Sequence, residues 1–233
     1  FVYKQTHHWD ITSWDTSNVT TMNSLFQISP TFNQDLSNWN VSKVTNMNSM
    51  FSYAPFNQDI SSWVVSNVTK MEAMFSNTPF NQDISSWNVS KVTNMSYMFA
   101  ASSFNQDISS WVVSNVTSLS GMFSSNSVFN QDISSWNTSN VTSMNSMFRS
   151  ATSFNYDISG WDFSSVNNMA GFMDNKTYNS SYYDNLLIAL DATGNTNVTL
   201  GMGSSQYGAA GTAARISLVS KGWTITDGGA LPI

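Results

Sequence analysis

The sequence predicts a repeat solenoid of leucine-rich-repeat-like type, with short parallel strands and short helical or 3-10 turns in each 24–25-residue coil and an α+β cap at the C-terminal end. Three observations carry this. The octapeptide "FNQDISSW" occurs at 56–63, 80–87, 104–111 and 129–136, with near copies "FNQDLSNW" at 32–39 and "FNYDISGW" at 154–161. Trp14, Trp39, Trp63, Trp87, Trp111, Trp136 and Trp161 follow one another at intervals of 25, 24, 24, 24, 25 and 25 residues. Each interval also repeats one apolar pattern that a unit so short cannot bury alone but a stack of units can.

The coil from Phe80, "FNQDISSWNVSKVTNMSYMFAASS", sets out the elements. "DISSWNV" mixes β-branched residues with Ser and steps by two from Trp87 to Val89, which predicts a short strand. Val92, Met95, Met98 and Phe99 step by three and then four, which predicts one face of a short helix or 3-10 segment capped by Ser90 or Thr93. "AASS", "SYAP" and "SNTP" then turn the chain, with Pro55 and Pro79 closing two of the turns. Coils joined by parallel pairing would rise about 4.8 Å each, so seven would make a rod of roughly 35 Å.

These elements place a seven-coil solenoid over residues 1–175, with an irregular N-terminal coil at 1–31. The repeat decays after "GFMDN", and residues 176–229 read as the cap. Within it, "YYDNLLIALD" predicts an amphipathic helix, "NVTLGMG" a strand, "AAGTAARISLVSKG" a helix ending at Gly222 and "WTITDGG" a strand. Residues 230–233 read as the start of a linker, and a beginning at Phe1 without Met suggests an excised or mature fragment of a larger multidomain chain.

Composition narrows the function classes. Apolar residues make up 41% of the chain, as a globular protein requires, but charged residues only 9%, against about 25% in ordinary soluble domains. Ser, Thr and Asn stand where charges normally do. A net charge of −6, with eight scattered Lys and Arg, offers no basic surface for nucleic acid. No apolar run approaches the ~18 residues of a membrane span. With no Cys, disulfides and thiolate metal sites are excluded, and the 13 Met and nine Trp suit an extracellular bacterial protein.

The motif "FNQDISSWNVSKVTNMSYMF" resembles the BspA-like leucine-rich-repeat surface proteins, and specifically their short-repeat class written FNQDISxWxVSxVTxMxxMF. The segment "NVTLGMGSSQYGAAGTAARISLVSKGWTITDGG" is similar to the region C-terminal to such repeats in secreted bacterial proteins. The resemblance implies a bacterial cell-surface or secreted location, often within a long multidomain chain, and a role in adhesion to host or matrix molecules. It implies no defined ligand and no catalytic residues.

Asp10, Asp35, Asp59, Asp83, Asp107, Asp132 and Asp157 hold one position in seven coils. Stacked carboxylates repel. The expected role is local: each accepts backbone N–H bonds from the residues after it, as in an Asx turn. The alternative is a carboxylate row, with Asp35, Asp59, Asp83, Asp107 and Asp132 as metal ligands, although Ca²⁺ wants about six to eight oxygens and no Asp-rich calcium loop is present.

Asn33, Asn57, Asn81, Asn105, Asn130 and Asn155 predict an internal amide ladder. Gln34, Gln58, Gln82, Gln106 and Gln131 read as more exposed, since Tyr156 replaces them, and with Tyr53 and Tyr97 they are the candidate ligand-binding residues. Thr20, Thr45, Thr69, Thr93, Thr117 and Thr142 raise ice binding but are expected to cap helices. The Trp column would be a sugar platform if exposed, and its periodicity among Phe and Met predicts core instead. His7 and His8 could bind metal, but without an acidic cluster nearby they read as a terminal arm. With both His at one end, no Ser-His-Asp set assembles, and no Gly-rich phosphate loop precedes a helix. The Asn-Val-Thr and Asn-Val-Ser triplets match glycosylation acceptors as by-products of the repeat.

The expectation is a noncatalytic cell-surface or secreted module, without cofactor, that binds a host, matrix or neighbouring-cell protein or glycan. The alternatives are a structural spacer that projects another domain and an ice- or carbohydrate-binding protein.

Overall fold

A computed structural model describes residues 10–232, so the expectations for His7 and His8 lie outside the described residues. Within them the chain winds into successive coils stacked in parallel. One bridge residue per coil marks the stacking: Thr21 pairs with Asn46, then Lys70, Asn94, Ser118, Ser143 and Asn168 in turn. The intervals are the 24 or 25 residues of the repeat.

The backbone between bridge and next Phe differs from the predicted helical segment. In the coil of Tyr97, the N–H groups of Met95, Tyr97, Phe99 and Ala101 donate across to the carbonyls of Ser118, Ser120, Met122 and Ser124 at 2.7–3.1 Å. The intervening Met98 and Ala100 donate back three residues, to Met95 and Tyr97. Alternate amides thus serve the neighbouring coil and the local turn.

This needs two left-handed residues in each coil. The first file is Ser24, Ser49, Ala73, Tyr97, Gly121, Ser146 and Gly171; the second is Ile28, Tyr53, Asn77, Ala101, Ser125, Ser150 and Asn175. A positive φ at Tyr97 is what a type II turn from Met95 to Met98 demands at its third residue. An eight-residue helix is marginal alone, whereas a stacked coil offers an acceptor at every second residue. The three-then-four apolar spacing is common to both arrangements. The predicted strand at "DISSWNV" is likewise a pair of turns, closed by Trp87 N–H to Ile84 and Val92 N–H to Val89, and the parallel contact falls at Asn94 instead.

The core runs along the stack. Phe51, Phe75, Phe99, Phe123 and Phe148 form one file with successive ring centroids 5.7–5.9 Å apart. A second file, Phe56, Phe80, Phe104, Phe129 and Phe154, lies beside it, and within each coil the two rings stack at 3.8–4.0 Å. The Ile, Val and Met positions of the inner coils are buried with them. Trp39 to Trp161 are 3–4% exposed, so the tryptophans are core, and Trp14 in the first coil is 55% exposed.

The cap continues the stack with fuller secondary structure, in the order helix α1 (Ser180–Ala192), strand β1 (Thr199–Gly201), helix α2 (Thr212–Ser220) and strand β2 (Thr224–Thr226). β1, α2 and β2 lie inside the predicted segments, and α1 contains its predicted segment, Tyr182 to Asp191, with two more residues before it and one after. Asn179 caps α1 by accepting from the amides of Ser181 and Tyr182, and Tyr183, Leu186, Leu187 and Leu190 face inward. Leu200 of β1 bridges to Met169 of the last coil and pairs in parallel with Ile225 of β2, so the bridge column gains two further members. Both ion pairs among the described residues lie in the cap: Arg215–Asp227 at 2.8 Å and Lys221–Asp191 at 2.6 Å.

Where coils meet cap, Lys176 is buried without an acidic partner. Its ammonium donates to the carbonyl of Phe154 and lies 5.3 Å from the Phe154 ring centre and 5.7 Å from that of Tyr178. Burial pushes its pKa down from 10.5 to about 8. Between those values the unfolded chain holds a proton that the folded chain has shed, so stability rises with pH across that window. Unfolding by urea from pH 7 to 10.5 should show this rise, and Lys176→Met should abolish it. At roughly 1.4 kcal/mol per pKa unit, the variant should be more stable at pH 7 by up to about 3 kcal/mol.

Candidate functional site

The octapeptide face is built from side chains that close turns or join coils. Asp35, Asp59, Asp83, Asp107, Asp132 and Asp157 each accept, through Oδ1, the backbone N–H two residues on, at 2.8–3.0 Å. Asp10 accepts from Thr12 in the same way. This is the Asx-turn geometry expected of the row. Asn40, Asn88 and Asn137 do the same one turn later, with Asp15 and Asp162 in the outer coils.

The asparagine file is a ladder between coils. The side-chain oxygen of Asn33 accepts the backbone N–H of Asn57, and the pattern passes through Asn81, Asn105, Asn130 and Asn155 at 2.8–3.2 Å. It ends on Asn179, the cap of α1. Tyr178 and Asn179 thus stand in the Phe-Asn register of the repeat, a signal present in "TYNSS" that the apparent decay after "GFMDN" hides.

The candidate glutamines belong to the same ladder. Gln58, Gln82, Gln106 and Gln131 donate to the main-chain carbonyl of the preceding coil's Asn at 2.9–3.2 Å, and Gln34 accepts from the amide of Ile11. Each inner Trp donates its indole N–H to the carbonyl of the preceding coil's Ile or Leu, as Trp87 does to Ile60 at 3.2 Å. That carbonyl already accepts the N–H of Trp63, so one oxygen ties two coils together.

The threonines do not cap helices, because no helix follows them. The Thr45, Thr69, Thr93, Thr117 and Thr142 hydroxyls each donate to the carbonyl of the previous coil's Thr at 3.1–3.2 Å.

Asp35, Asp59, Asp83, Asp107 and Asp132 form an exposed file, and Asp157 beside the cap is half-buried. Hydrogen bonds from Ser85 hold Asp83 below the usual carboxylate pKa, and those from Ser37, Ser61 and Ser109 do so for Asp35, Asp59 and Asp107. The neighbouring charges of Asp35 and Asp83 oppose this at Asp59. Among the described residues no group of three or more His, Cys, Asp or Glu could hold a metal ion. A shallow depression of about 250 Å³ lies along the row, lined by Asp107, Asp132, Gln131 and Tyr156.

The bridge-and-turn face differs in kind. Its polar positions change from coil to coil: Asn46, Lys70, Asn94 and Ser118 at the bridge, then Asn48, Glu72, Ser96 and Ser120 two residues on, of which Ser96 and Ser120 are buried. The two left-handed files vary as widely. Tyr53 and Tyr97 lie here, 58% and 41% exposed, one in each file. The Tyr97 ring lies over Gly121, where an added Cβ would come within 2.2 Å of it. The structure therefore separates the two tyrosines from the glutamines with which sequence reasoning grouped them.

Gly121→Ala should destabilise the protein through both this overlap and its φ of +60°. Tyr97→Ser should relieve the overlap but not the backbone cost, so a double-mutant cycle on urea midpoints should show positive coupling. For Asp35, Asp59, Asp83 and Asp107, folded pKa values below the ordinary 3.8 mean a stabilising contribution present above about pH 4 and lost as pH falls through the lowered values. Asp83→Asn, which keeps an accepting oxygen, should melt at pH 7 as the parent does, while Asp83→Ala loses less than ~1 kcal/mol. Chelation by EDTA should leave the melting curve unmoved.

A family profile described as "Mycoplasma protein of unknown function, DUF285" matches the chain twice, over residues 1–103 and 78–185. No curated protein and no solved structure matches it. The two matches together run through all the stacked coils and into α1, and the chain is a member of the DUF285 family.

Proposed function

We propose that the chain is a leucine-rich-repeat-like solenoid of BspA-like type, working as a noncatalytic contact module on a bacterial cell surface or in secreted form. Its partner would be a protein or glycan of a host, a matrix or a neighbouring cell, met through the bridge-and-turn face.

One observation carries this reading: the two sides of each coil obey different sequence rules. On the octapeptide side the polar groups are engaged in joining coils, and their identities are copied from coil to coil. On the bridge-and-turn side the ladder common to every coil is made by the main chain, and the side-chain bonds that add to it differ from coil to coil: Asn94 donates to Glu72, Ser96 bonds Ser118, and Ser120 donates to Ser143. Lys70, Glu72 and Asn77 in one coil face Asn94, Ser96 and Ala101 in the next, with Tyr53 and Tyr97 as exposed aromatic groups. Aromatic rings with a polar tip suit both protein and sugar contacts.

The test begins with a glycan array and a capture from host surfaces by the whole chain. Tyr53→Ser with Tyr97→Ser should keep the parent's circular dichroism and lower affinity for the captured partner at least tenfold. Gln82→Ser with Gln106→Ser, on the other side, should lower stability and leave affinity within twofold. Binding that survives the tyrosine pair and falls with the glutamine pair would move the contact to the octapeptide face, and no partner at all would favour a spacer.

A further inference from the structure

The ladder between coils has a direction. In every inner pair the row of N–H groups belongs to the earlier coil and the row of carbonyls to the later one, as in Met22 to Asn46, Ser24 to Asn48, Phe26 to Met50 and Ile28 to Ser52. The first described coil therefore presents its own carbonyls, Thr21, Asn23, Leu25 and Gln27, toward the N-terminal side. No backbone donor among the described residues meets them. Their fellow groups at this edge, the Thr20 amide and the Trp14 indole N–H, have counterparts that are bonded in every inner coil, as at Thr45 and Trp39.

The same edge is apolar. Trp14, Leu25 and Ile28 are 55%, 46% and 70% exposed. The next coil's counterparts of the first two, Trp39 and Met50, are 4% and 0% exposed.

We propose that this N-terminal face is an assembly surface for one further repeat coil, carried by the same polypeptide as it leads into Asp10. Two features specify that occupant. First, the surface asks for a row of donors on alternate residues, beside acceptors for one amide and one indole. That is the trailing edge of a repeat coil. A second copy of this chain, docked face to face by a two-fold axis, would bring carbonyl rows against carbonyl rows. Second, the sequence is already in register: Phe1 stands 25 residues before Phe26 and Tyr3 25 before Ile28, the interval that separates Asp10 from Asp35. The surface is distinct from the bridge-and-turn face, and its test does not depend on a partner.

Placing a copy of residues 32–50 directly before Phe1 completes one coil, with Phe1 taking the position of Phe51. A scrambled prefix of identical composition is the control. The in-register chain should melt at least about 4 °C higher than the parent, and its Thr20 amide should become protected from hydrogen exchange. The scrambled prefix should do neither. Leu25→Ser should cost the parent little and cancel most of the gain in the extended chain. Equal behaviour of the two prefixes, or no protection at Thr20, overturns the proposal. So does a parent that sediments as a dimer and becomes monomeric when extended, since a second copy would then be the occupant.

Discussion

A coil of this protein cannot satisfy its own backbone. Every second amide along the bridge-and-turn segment points out of its coil, and only the next coil holds the acceptor. Buried amides left unpaired cost too much to tolerate, so no coil is stable without a neighbour. The other features follow from that requirement. The left-handed residues exist because alternate amides must point along the stack, and most are Ser, Ala, Asn or Tyr rather than Gly. Each such residue costs about 1 kcal/mol, which the apolar files offset by burying whole Phe, Trp and Met side chains in every layer.

The same requirement explains the unusual composition. With side-chain hydroxyls and amides used to close turns and join coils, little of the polar inventory needs a charge. The two ion pairs among the described residues are both in the cap, outside the stack. The repeated Asp is the exception, and at Asp59 the hydrogen bonds accepted from Ser61 hold the pKa down despite the like charges of Asp35 and Asp83. Lys43 and Lys91 fall in alternate coils, each donating to the Asn of the coil before it, so no two lysines of that file are adjacent.

Much of this was legible in the sequence, and the part that was not has a clear cause. The tryptophan interval gave the coil length, the apolar positions gave the core, and the cap elements fell where helix and strand patterns placed them. The Asp and Asn columns were read for the bonds they make. The helical segment and the Thr caps were misjudged together, because a spacing of three and then four residues also describes consecutive turns whose amides alternate between coils. Nothing in a single coil distinguishes the two; the difference lies in a partner 24 residues away. The glutamine column looked like a surface because Tyr156 replaces one member, yet its amides reach across to the previous coil's backbone. Tyr53 and Tyr97 stood out by variation alone, and variation proved to mark the side of the coil on which the ladder common to every coil is made by the main chain.

The direction of the ladder also bears on how the molecule is made. A chain synthesised from its N-terminus exposes, at each moment, the donor row of the coil just completed. The acceptor row that matches it is on the next coil to emerge. Folding can therefore keep pace with synthesis one layer at a time, with each coil templating its successor, and the row runs on into the cap, where Gly201, Thr226 and Gly229 accept from Met173, Met202 and Tyr207.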